Sequence, residues 1–481
     1  MRGASRGAHW RRARACRGVP LRLVREAGTL SGRHAAALPD RAGKRPPEAT
    51  LVARVEALDA SGAGVVDVDG RKLRVGGTLV GEKVVLRQRR GRRRHEADLV
   101  EVLEAGSARI PPVCAHFGMC GGCTLQHMPV GAQLEHKQRH LLRVLEAGAR
   151  VQPEVLLEPI GGPSIGYRRR ARLGVKHVPG KGGALVGFRE RSSAKLAELS
   201  ACAILEPRVG NALGDLRAMI DRLDVRHRVP QIEVAMGDAG TALVVRHLEP
   251  LSAHDRGVLV EFARVRDWQI HVQPGGPQSI APLWPDEPAP LTYALPEFEL
   301  ELEFQPTDFI QVNAATNRAL VAAAIHHLDV SQEARVLDLF CGIGNFTLAL
   351  ARRAARVTGI EGDAALVARA RANARRNGIA NAEFACADLS RIESERRWLD
   401  ERWDRMLLDP PRAGAAEVLA ALDGNLPERI VYVSCNPKTL ARDAQHLVHR
   451  SGYRLMAAGV IDMFPHTSHC EAMAVFHRCG K

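Results

Sequence analysis

The sequence predicts a multidomain α/β protein with three folded parts, and three patterns lead to this prediction. Short alternating segments between residues 46 and 104 are typical of a small, OB-like β-barrel. Strand patterns between residues 105 and 308 indicate an α+β domain that contains a cysteine-rich loop. Alternating strand and helix patterns from residue 309 to residue 481 predict a doubly wound, Rossmann-like α/β domain. At 481 residues, the chain is long enough for each part to bury its own core.

Positive charge is concentrated in the first 45 residues. The formal net charge of the chain is +14, and residues 1–45 contain twelve Arg and Lys residues against Glu26 and Asp40, so that this segment carries +10 of the total. We expect it to be a disordered tail, with a transit peptide or an RNA-attracting arm as alternatives. Because the rest of the chain is only mildly basic, nucleic-acid binding has to be argued from local clusters of charge.

Composition also limits the class of protein. No apolar run approaches the length of a membrane span, so we expect no membrane association. Ten Cys residues are too many to be incidental and too unevenly spaced for a disulfide framework. We therefore expect a cytoplasmic protein in a reducing compartment, in which some of the thiols act as ligands or nucleophiles.

The predicted barrel carries a run of arginines before its last strand. A solvated charged hairpin is one explanation for this run, and contact with RNA phosphates is the other. The segment resembles a TRAM domain, an RNA-binding module found in several RNA-modifying enzymes. The five predicted strands are residues 51–58, 64–68, 72–75, 83–87 and 97–103, and the arginines are Arg87, Arg89, Arg90, Arg92, Arg93 and Arg94.

Three cysteines, Cys114, Cys120 and Cys123, lie close together on a loop that also contains two glycines. Glycines allow a loop to fold around an inorganic centre, and three thiols with this spacing can converge on one. Outside the tail, Cys202 is the only other cysteine that precedes the C-terminal domain, which makes it the candidate fourth ligand. We favour a four-iron cluster over zinc. The zinc alternative would use two nearby histidines, His116 and His127.

The rest of the central domain is predicted to contain one antiparallel sheet. An arginine-rich stretch, residues 168–172, precedes its first strands. This stretch could line a path for RNA, or it could protect an exposed strand edge with charge. The strand patterns that follow are residues 184–189, 231–236, 241–246, 269–272 and 298–304.

A Gly-rich turn organises the C-terminal domain. An apolar strand pattern ends at Gly342 and Gly344, and an apolar helix pattern follows at once. Glycines let the backbone approach a ligand closely, and a helix start offers unpaired N–H groups. Asp338 in the strand and Glu361 after the next strand could accept hydrogen bonds from ribose hydroxyls. The turn predicts a nucleoside cofactor, either S-adenosylmethionine or a dinucleotide, although Thr347 replaces the third Gly that a dinucleotide fingerprint requires.

Further polar residues follow the other predicted strands of this domain. Asp388 and Asp409 each come at the end of a strand pattern, where α/β folds keep their sites. Asp409 begins the motif Asp-Pro-Pro-Arg, whose rigid backbone could support a flat base. Gln311 precedes a predicted helix, residues 316–327, and is either a cofactor contact or a polar cap.

Cys435 lies between a strand pattern, residues 429–434, and a helix that starts with Pro437. A thiol at this position should be exposed and lie in the field of the helix N-terminus, which favours the thiolate. Methylation of an exocyclic amine needs no such nucleophile. Methylation of a pyrimidine at C5 does, because C5 is a poor nucleophile until a group has added to C6.

A general base is predicted close to the C-terminus. After methyl transfer, the proton on C5 has to leave before the thiolate can be expelled. Glu471, His466 and His469 precede the last strand pattern and could each accept this proton. Alternatively, the two histidines only order the loop by hydrogen bonding.

Four motifs in order, FCGIGNFTLALA, DPPRAG, VSCNPKTLARD and DMFPHTSHCEAM, resemble those of the RNA uracil-5-methyltransferase family. The TRAM-like barrel and the cysteine spacing are similar to the branch of that family that acts on 23S ribosomal RNA. The resemblance extends over residues 46–479. Cys470 is a departure, since the family more often has an aliphatic residue before the glutamate.

The resemblance implies a C-terminal S-adenosylmethionine-dependent methyltransferase domain and a [4Fe-4S] cluster in the central domain. It implies Cys435 as the nucleophile and Glu471 as the general base, with 23S rRNA as substrate and a monomer without a protein partner. The implied cluster ligands are Cys114, Cys120, Cys123 and Cys202. The implied surroundings of S-adenosylmethionine are Gln311, Phe340, Gly342, Gly344, Asn345, Glu361, Asp388 and Asp409.

Four other functions are alternatives. A transfer-RNA uracil-5-methyltransferase is the nearest, and a non-catalytic RNA-binding factor would keep the fold without turnover. A radical-SAM methylthiotransferase also combines an iron–sulfur centre with TRAM, but it uses the spacing Cys-x3-Cys-x2-Cys, which differs from the spacing in this chain. A nicotinamide oxidoreductase is disfavoured by Thr347 and by the thiol at residue 435.

Overall fold

The computed structural model describes residues 50–89, 93–392 and 397–478. The predicted tail, residues 1–45, and two arginines of the barrel run, Arg90 and Arg92, lie outside the described residues. In the part of the chain that is described, none of the helices combines the length and the apolar character needed to cross a membrane.

The N-terminal segment forms a closed five-stranded barrel, as the sequence predicts. Successive side chains of a strand point to opposite faces, so alternate residues fill the interior. Val66, Val84 and Leu86 are fully buried there. The strands neighbour one another in the order β1-β2-β3-β5-β4, and their bounds are β1 (Thr50–Leu58), β2 (Gly64–Val68), β3 (Arg71–Val75), β4 (Lys83–Gln88) and β5 (Glu96–Glu104).

The segment between the barrel and residue 308 contains helices and strands that belong to more than one layer. Its elements are α1 (Val130–Ala149), β6 (Val155–Leu156), β7 (Arg170–Val178), β8 (Gly183–Gly187), α2 (Pro207–Gly210), α3 (Leu213–Asp221), β9 (Gln231–Met236), β10 (Thr241–Arg246), α4 (Ala253–Arg266), β11 (Gln269–Gln273), β12 (Ala281–Trp284), β13 (Leu291–Leu295) and β14 (Leu300–Phe304).

The central sheet has six strands in the order β12-β11-β10-β9-β7-β8, and two sequence predictions about it are wrong. It is not purely antiparallel, because α4 provides a crossover that makes β10 and β11 parallel. Strand β14 is not part of it, since β13 and β14 form a separate two-stranded sheet. Residues 170–172 of β7 pair with β9, whereas the ladder between β7 and β8 covers only residues 174–178, so the charged-edge explanation for residues 168–172 stays a prediction.

The C-terminal domain is doubly wound, as predicted, around an eight-stranded sheet in the order β17-β16-β15-β18-β19-β21-β20-β6. The order reverses between β15 and β18, which is where ligands bind in open α/β sheets. Its elements are α5 (Ala314–Leu328), β15 (Arg335–Leu339), α6 (Thr347–Ala351), β16 (Arg356–Glu361), α7 (Ala364–Arg376), β17 (Ala382–Cys386), α8 (Arg397–Asp400), β18 (Arg405–Leu408), α9 (Ala416–Ala421), β19 (Arg429–Ser434), α10 (Pro437–His449), β20 (Tyr453–Ile461) and β21 (Glu471–Arg478).

Helix α1 and strand β6 pack with the C-terminal domain, although they lie in the predicted central domain. Strand β6 pairs in parallel with β20, with Val155 opposite Ala457. Leu141 and Leu145 of α1 are fully buried in the same apolar cluster as residues of β18, β19 and β20. The predicted domain boundary at residues 308–309 therefore does not separate two cores, because α1 buries its apolar face on the later domain.

We expect Leu141→Ala to lower the free energy of unfolding by about 2–5 kcal/mol, because it removes buried methyl groups and leaves a cavity under α1. Leu142→Ala is the matched control, since its side chain is only half-buried, and should cost less than about 1 kcal/mol. Urea unfolding followed by circular dichroism compares the two variants. Equal losses would contradict the packing of α1 described here.

Candidate active site

Cys435 lies where strand β19 meets helix α10, at the carboxyl edge of the C-terminal sheet. The side chain of Asn436 caps α10 and accepts a hydrogen bond from the backbone N–H of Lys438 at 3.2 Å. The thiol of Cys435 is half-buried. Burial raises the pKa of Cys435 to about 11, and the carboxyl groups of Glu471 and Asp409 add to this effect. The prediction of an exposed, thiolate-favouring site is therefore wrong, because desolvation and two acidic neighbours outweigh the helix field.

Glu471 lies beside Cys435 because strand β21 runs antiparallel to β19. Ser434 pairs with Ala472 in this ladder, so the next residue on each strand, Cys435 and Glu471, meet at its end. Glu471 is only 9% exposed. Burial raises its pKa to about 8, and the carboxyl group of Asp409 adds to the increase. The structure thus brings together the predicted nucleophile and the predicted base.

Two further carboxyl groups with raised pKa values lie at the switch point of the sheet. Asp409 directly follows β18, and burial raises its pKa to about 7. Asp338 lies inside β15, where burial raises its pKa to about 7 and the nearby Asp409 and Glu361 add to the increase. Thr347 donates a hydrogen bond to Oδ2 of Asp338, whereas Oδ1 is buried without a partner among the described residues. This concentration of acidic groups suits a ligand that carries positive charge.

The Gly-rich turn between β15 and α6 has a left-handed backbone at three residues. These are Phe340, Gly342 and Gly344, with φ values of 65°, 55° and 94°. A non-glycine residue in this region costs about 1–3 kcal/mol, and such strain is commonly found at ligand sites. The backbone N–H of Gly342 donates to Oε2 of Glu361 at 3.1 Å, which joins the turn to the end of β16. The predicted cofactor residues Phe340, Gly342, Gly344 and Glu361 are therefore adjacent.

Asn345 is held in place by two residues that the sequence analysis did not identify. Tyr293 on β13 donates its hydroxyl hydrogen to Oδ1 of Asn345 at 2.9 Å. The amide of Asn317 on α5 exchanges two hydrogen bonds with the amide of Asn345, each of 3.0 Å. No local pattern marks this network, because its members come from three separate segments of the chain.

Gln311 and Asp388 lie in two separate loops, before α5 and after β17. Gln311 is half-buried in the loop before α5. Its alternative interpretation as a helix cap is wrong, because Asn313 caps α5 by accepting a hydrogen bond from Thr316. Asp388 follows β17 and is exposed, and hydrogen bonds from the hydroxyl and backbone N–H of Ser390 lower its pKa.

The two histidines before Glu471 have different surroundings. His466 is 4% exposed, and its backbone N–H donates to Oε1 of Gln133 at 2.8 Å. Its Nδ1 lies 3.1 Å from Nε2 of the same glutamine, so His466 orders the loop between β20 and β21. His469 is exposed, and its ring centroid lies 5.1 Å from that of Phe464. Although the residue as a whole is exposed, partial desolvation of the ring lowers the pKa of His469, and Arg412 contributes to the shift.

A buried ion pair below this loop was missed by the sequence analysis. Lys137 on α1 is 1% exposed, and its Nζ lies 2.6 Å from Oδ1 of Asp462. A signal was present, because Lys137 lies in the same every-fourth-residue row of α1 as Leu141 and Leu145. A charged residue in an otherwise buried row has to find a partner.

The four predicted cluster ligands line one small cavity beside the barrel, together with Phe188. The thiols are half-buried, and burial raises the pKa values of three of them, to about 12 at Cys123. Within the described ranges, no group of three or more His, Cys, Asp or Glu side chains is arranged to hold a single metal ion.

The two histidines of the zinc alternative have other partners. Nε2 of His116 accepts a hydrogen bond from the backbone N–H of Ser200 at 3.1 Å. Nε2 of His127 lies 3.3 Å from the carbonyl oxygen of Thr78. Each imidazole therefore contacts the protein through Nε2, whereas Nδ1 of His127 is buried without a hydrogen-bond partner among the described residues.

Several of the predicted RNA-contacting arginines form ion pairs within the protein, including Arg172 with Glu233 at 3.1 Å. In the barrel hairpin, Arg89 forms ion pairs with Glu96 and Asp98. Arg169 of the central segment likewise pairs with Asp238. A groove beside the cysteine loop has a basic lining instead. Its basic residues are Arg93, Arg172, Lys176, Arg189 and Arg191.

Comparisons with known proteins agree with this geometry. A sequence model of the family described as tRNA (Uracil-5-)-methyltransferase matches residues 294–479. The 23S rRNA (uracil(1939)-C(5))-methyltransferase RlmD of Alkalilimnicola ehrlichii is 50% identical over 91% of this chain and 99% of its own. The protein of the same name from Nitrosospira multiformis is 47% identical over 89% of this chain and 98% of its own.

A solved structure shares the fold. The crystal structure of Pyrococcus abyssi tRNA (uracil-54, C5)-methyltransferase in complex with S-adenosyl-L-homocysteine superposes with a TM-score of 0.69. It is 24% identical and covers 88% of this chain and 99% of its own. The two RlmD relatives, at 50% and 47% identity, are more similar in sequence to this chain than the Pyrococcus abyssi protein is. The chain belongs to the family of S-adenosylmethionine-dependent 23S rRNA (uracil-C5)-methyltransferases.

Proposed function

We propose that the protein methylates C5 of one uridine in 23S rRNA through a transient covalent bond between Cys435 and C6 of the base. The pairing of β19 with β21 carries this proposal, because it sets Cys435 and Glu471 side by side at the carboxyl edge of the sheet. A cysteine nucleophile and a carboxyl base are what C5 methylation requires. The names of the relatives support the uridine at position 1939 as the target.

The chemistry of these residues follows in order. The target uridine is flipped out of folded RNA, Cys435 gives its proton to solvent water, and the thiolate adds through Sγ to C6. This addition places negative charge on C5 and O4 of the ring. When bound, S-adenosylmethionine would supply the electrophilic methyl group that C5 accepts, with the neutral thioether S-adenosylhomocysteine as the leaving group. The carboxylate of Glu471 then removes the C5 proton, the Sγ–C6 bond breaks, and Cys435 leaves as the thiolate.

The acidic side chains at the carboxyl edge of the C-terminal sheet suit a cofactor that carries a positively charged sulfonium group. Glu361 lies at the end of β16, where Oε2 accepts from the backbone N–H of Gly342 and Oε1 accepts from that of Asp363. Each carboxylate oxygen has a second lone pair that can accept from a ribose hydroxyl. Asp409 and Glu361 both lie close to Asp338, and negative charge at these carboxyl groups complements the positive sulfur. We further propose Gln311, Phe340, Asn345 and Asp388 as contacts of the same cofactor.

We propose that the four cysteines of the small cavity hold a [4Fe-4S] cluster. A single zinc ion would need four ligands within about 2.3 Å of one point, whereas each thiolate of a [4Fe-4S] cluster binds a different iron atom and so needs wider spacing. The all-sulfur donor set supports iron–sulfur chemistry, and the two histidines are engaged elsewhere. Bound iron would replace the thiol protons that burial otherwise retains.

RNA binding is proposed for the barrel and for the basic groove beside the cysteine loop. Arg172 and Arg93 line this groove with three other cations, and such a lining suits a phosphate backbone. The guanidinium of Arg93 also donates to the carbonyl oxygen of Ser192 at 2.7 Å, which connects the barrel hairpin with the central domain. On this basis the barrel is proposed to be a TRAM-type RNA-binding module, and the protein is proposed to act as a cytoplasmic monomer.

The substrate is tested with purified protein, labelled S-adenosylmethionine, and 23S rRNA and tRNA from a strain that lacks this gene. We expect label in 23S rRNA at the uridine equivalent to 1939 and no label in tRNA. Cys435→Ala should abolish incorporation, because no group can then add to C6. The thiol control Cys386→Ala should retain it, since Cys386 is exposed at the end of β17. Label in tRNA alone would identify the alternative transfer-RNA enzyme.

Covalent chemistry is tested with denaturing gels that separate free and RNA-linked protein. We expect Glu471→Gln to accumulate the adduct with ordinary uridine, because an amide cannot remove the C5 proton. In the wild type, adduct resolution should accelerate as the pH rises through about 8, because Glu471 is protonated below this value and acts as a base only when ionised. Resolution that is equally fast in Glu471→Gln would show that another group is the base.

Metal content is tested by chemical analysis of protein purified without oxygen. We expect about four iron and four sulfide per chain, as a [4Fe-4S] cluster requires. Cys123→Ser should lose most of this iron, and the control Cys386→Ser should keep it. One zinc per chain without sulfide would contradict the cluster.

A further inference from the structure

The ion pair of Lys137 and Asp462 is buried on all sides. Lys137 and Asp462 are each 1% exposed, and Nζ lies 2.6 Å from Oδ1. Nζ also donates to the carbonyl oxygen of Phe464 at 3.2 Å. Burying two charges is costly even when they are paired, so a pair of this kind is weak support for a purely stabilising role.

The ion pair lies at the start of the loop that ends in the proposed base. Ile461 and Glu471 are directly opposite in the β20–β21 ladder, and Asp462 is the next residue after Ile461. The loop therefore leaves the ladder at Asp462 and returns at Glu471. Because Lys137 binds both Asp462 and Phe464, it fixes the first turn of this loop.

The neighbours of Lys137 on α1 bind the same segment. Oε1 of Gln133 accepts from the backbone N–H of His466 at 2.8 Å. Oε1 of Gln138 accepts from the backbone N–H of Val460 at 2.9 Å. The buried face of α1 thus carries three polar side chains, Gln133, Lys137 and Gln138, that bind residues 460–466. Lys137 is the charged member of the three.

Lys137 is the cation among the charged groups that act on Glu471. Asp409, after β18, and Asp462, after β20, both disfavour the ionised form of Glu471, whereas Lys137 on α1 favours it. Two thiols also face this region, those of Cys435 and Cys470, and Glu471 in turn raises the pKa of each.

We propose that Lys137 is a positioning residue for the base: it anchors the loop that carries Glu471 and supplies the positive charge that keeps Glu471 able to accept the C5 proton. The proposal rests on the proposed function. Lys137 is not itself placed in contact with the RNA. A structural role alone would make the pair important for folding but would leave the protonation of Glu471 unchanged.

The test measures adduct resolution against pH in a single turnover, with the wild type, Lys137→Met and Asp462→Asn. Loss of the Lys137 cation should move the pH midpoint upward, and loss of the Asp462 anion should move it downward, although both variants lose the same ion pair. A shift of about one pH unit corresponds to about a tenfold change in rate well below the midpoint. Asp255→Asn is the control, because Asp255 is a fully buried carboxyl group in the capping box of α4 and should leave the midpoint unchanged.

A double variant keeps the test informative if Lys137→Met alone fails to fold. The double variant Lys137→Met/Asp462→Asn has no buried charge and should resolve the adduct with a midpoint above that of Asp462→Asn. Midpoints that stay at the wild-type value, or that move in one direction for both single variants, would overturn the role of Lys137. Failure of the wild type to form any adduct would instead overturn the proposed function.

Discussion

The pairing of β21 between β19 and β20 is the constraint on which the site depends. An antiparallel last strand inserted into a parallel sheet reverses the direction of the chain, so its first residue lies at the edge where the parallel strands end. This places Glu471 next to Cys435, although 35 residues separate them. A shift of the register by one residue would turn Glu471 to the other face of the sheet. The reaction thus depends on a ladder that buries apolar side chains on both faces.

Several carboxyl groups lie close together at this edge of the sheet, which raises the free energy of the protein without its cofactor. Asp338, Asp409 and Glu471 all have raised pKa values because burial disfavours the carboxylates, and neighbouring acids add to the increase at Asp338 and Glu471. The same crowding makes the thiol of Cys435 harder to ionise. A cationic methyl donor would relieve this repulsion when it binds. The charges of the site are therefore more favourable with the cofactor bound than without it. Lys137 is the one buried cation that acts on Glu471 from within the described protein.

The loop before Glu471 also connects the catalytic domain with the cysteine loop. The backbone N–H groups of Thr124 and Leu125, which directly follow Cys123, donate to the carbonyl oxygen of His466. The hydroxyl of Tyr167 donates to the carbonyl oxygen of Pro465 at 3.1 Å. The three sequence segments that carry the proposed cluster, the central sheet and the base are therefore joined at one loop. This arrangement brings a cysteine-rich loop that is far away in sequence into direct hydrogen-bond contact with the loop before Glu471.

Local sequence determined the β-barrel, the doubly wound domain and the Gly-rich turn, because strand and helix periodicity and glycine positions act over a few residues. It also marked Cys435 as the candidate nucleophile. Tertiary structure alone decided where α1 docks, that β10 and β11 are parallel, and that Lys137 is buried against Asp462. It also decided the protonation of Cys435: the sequence shows only the helix N-terminus, whereas the acids that raise the thiol pKa arrive from β18 and β21. Electrostatic effects depend on distance in space, and residues from distant segments set them.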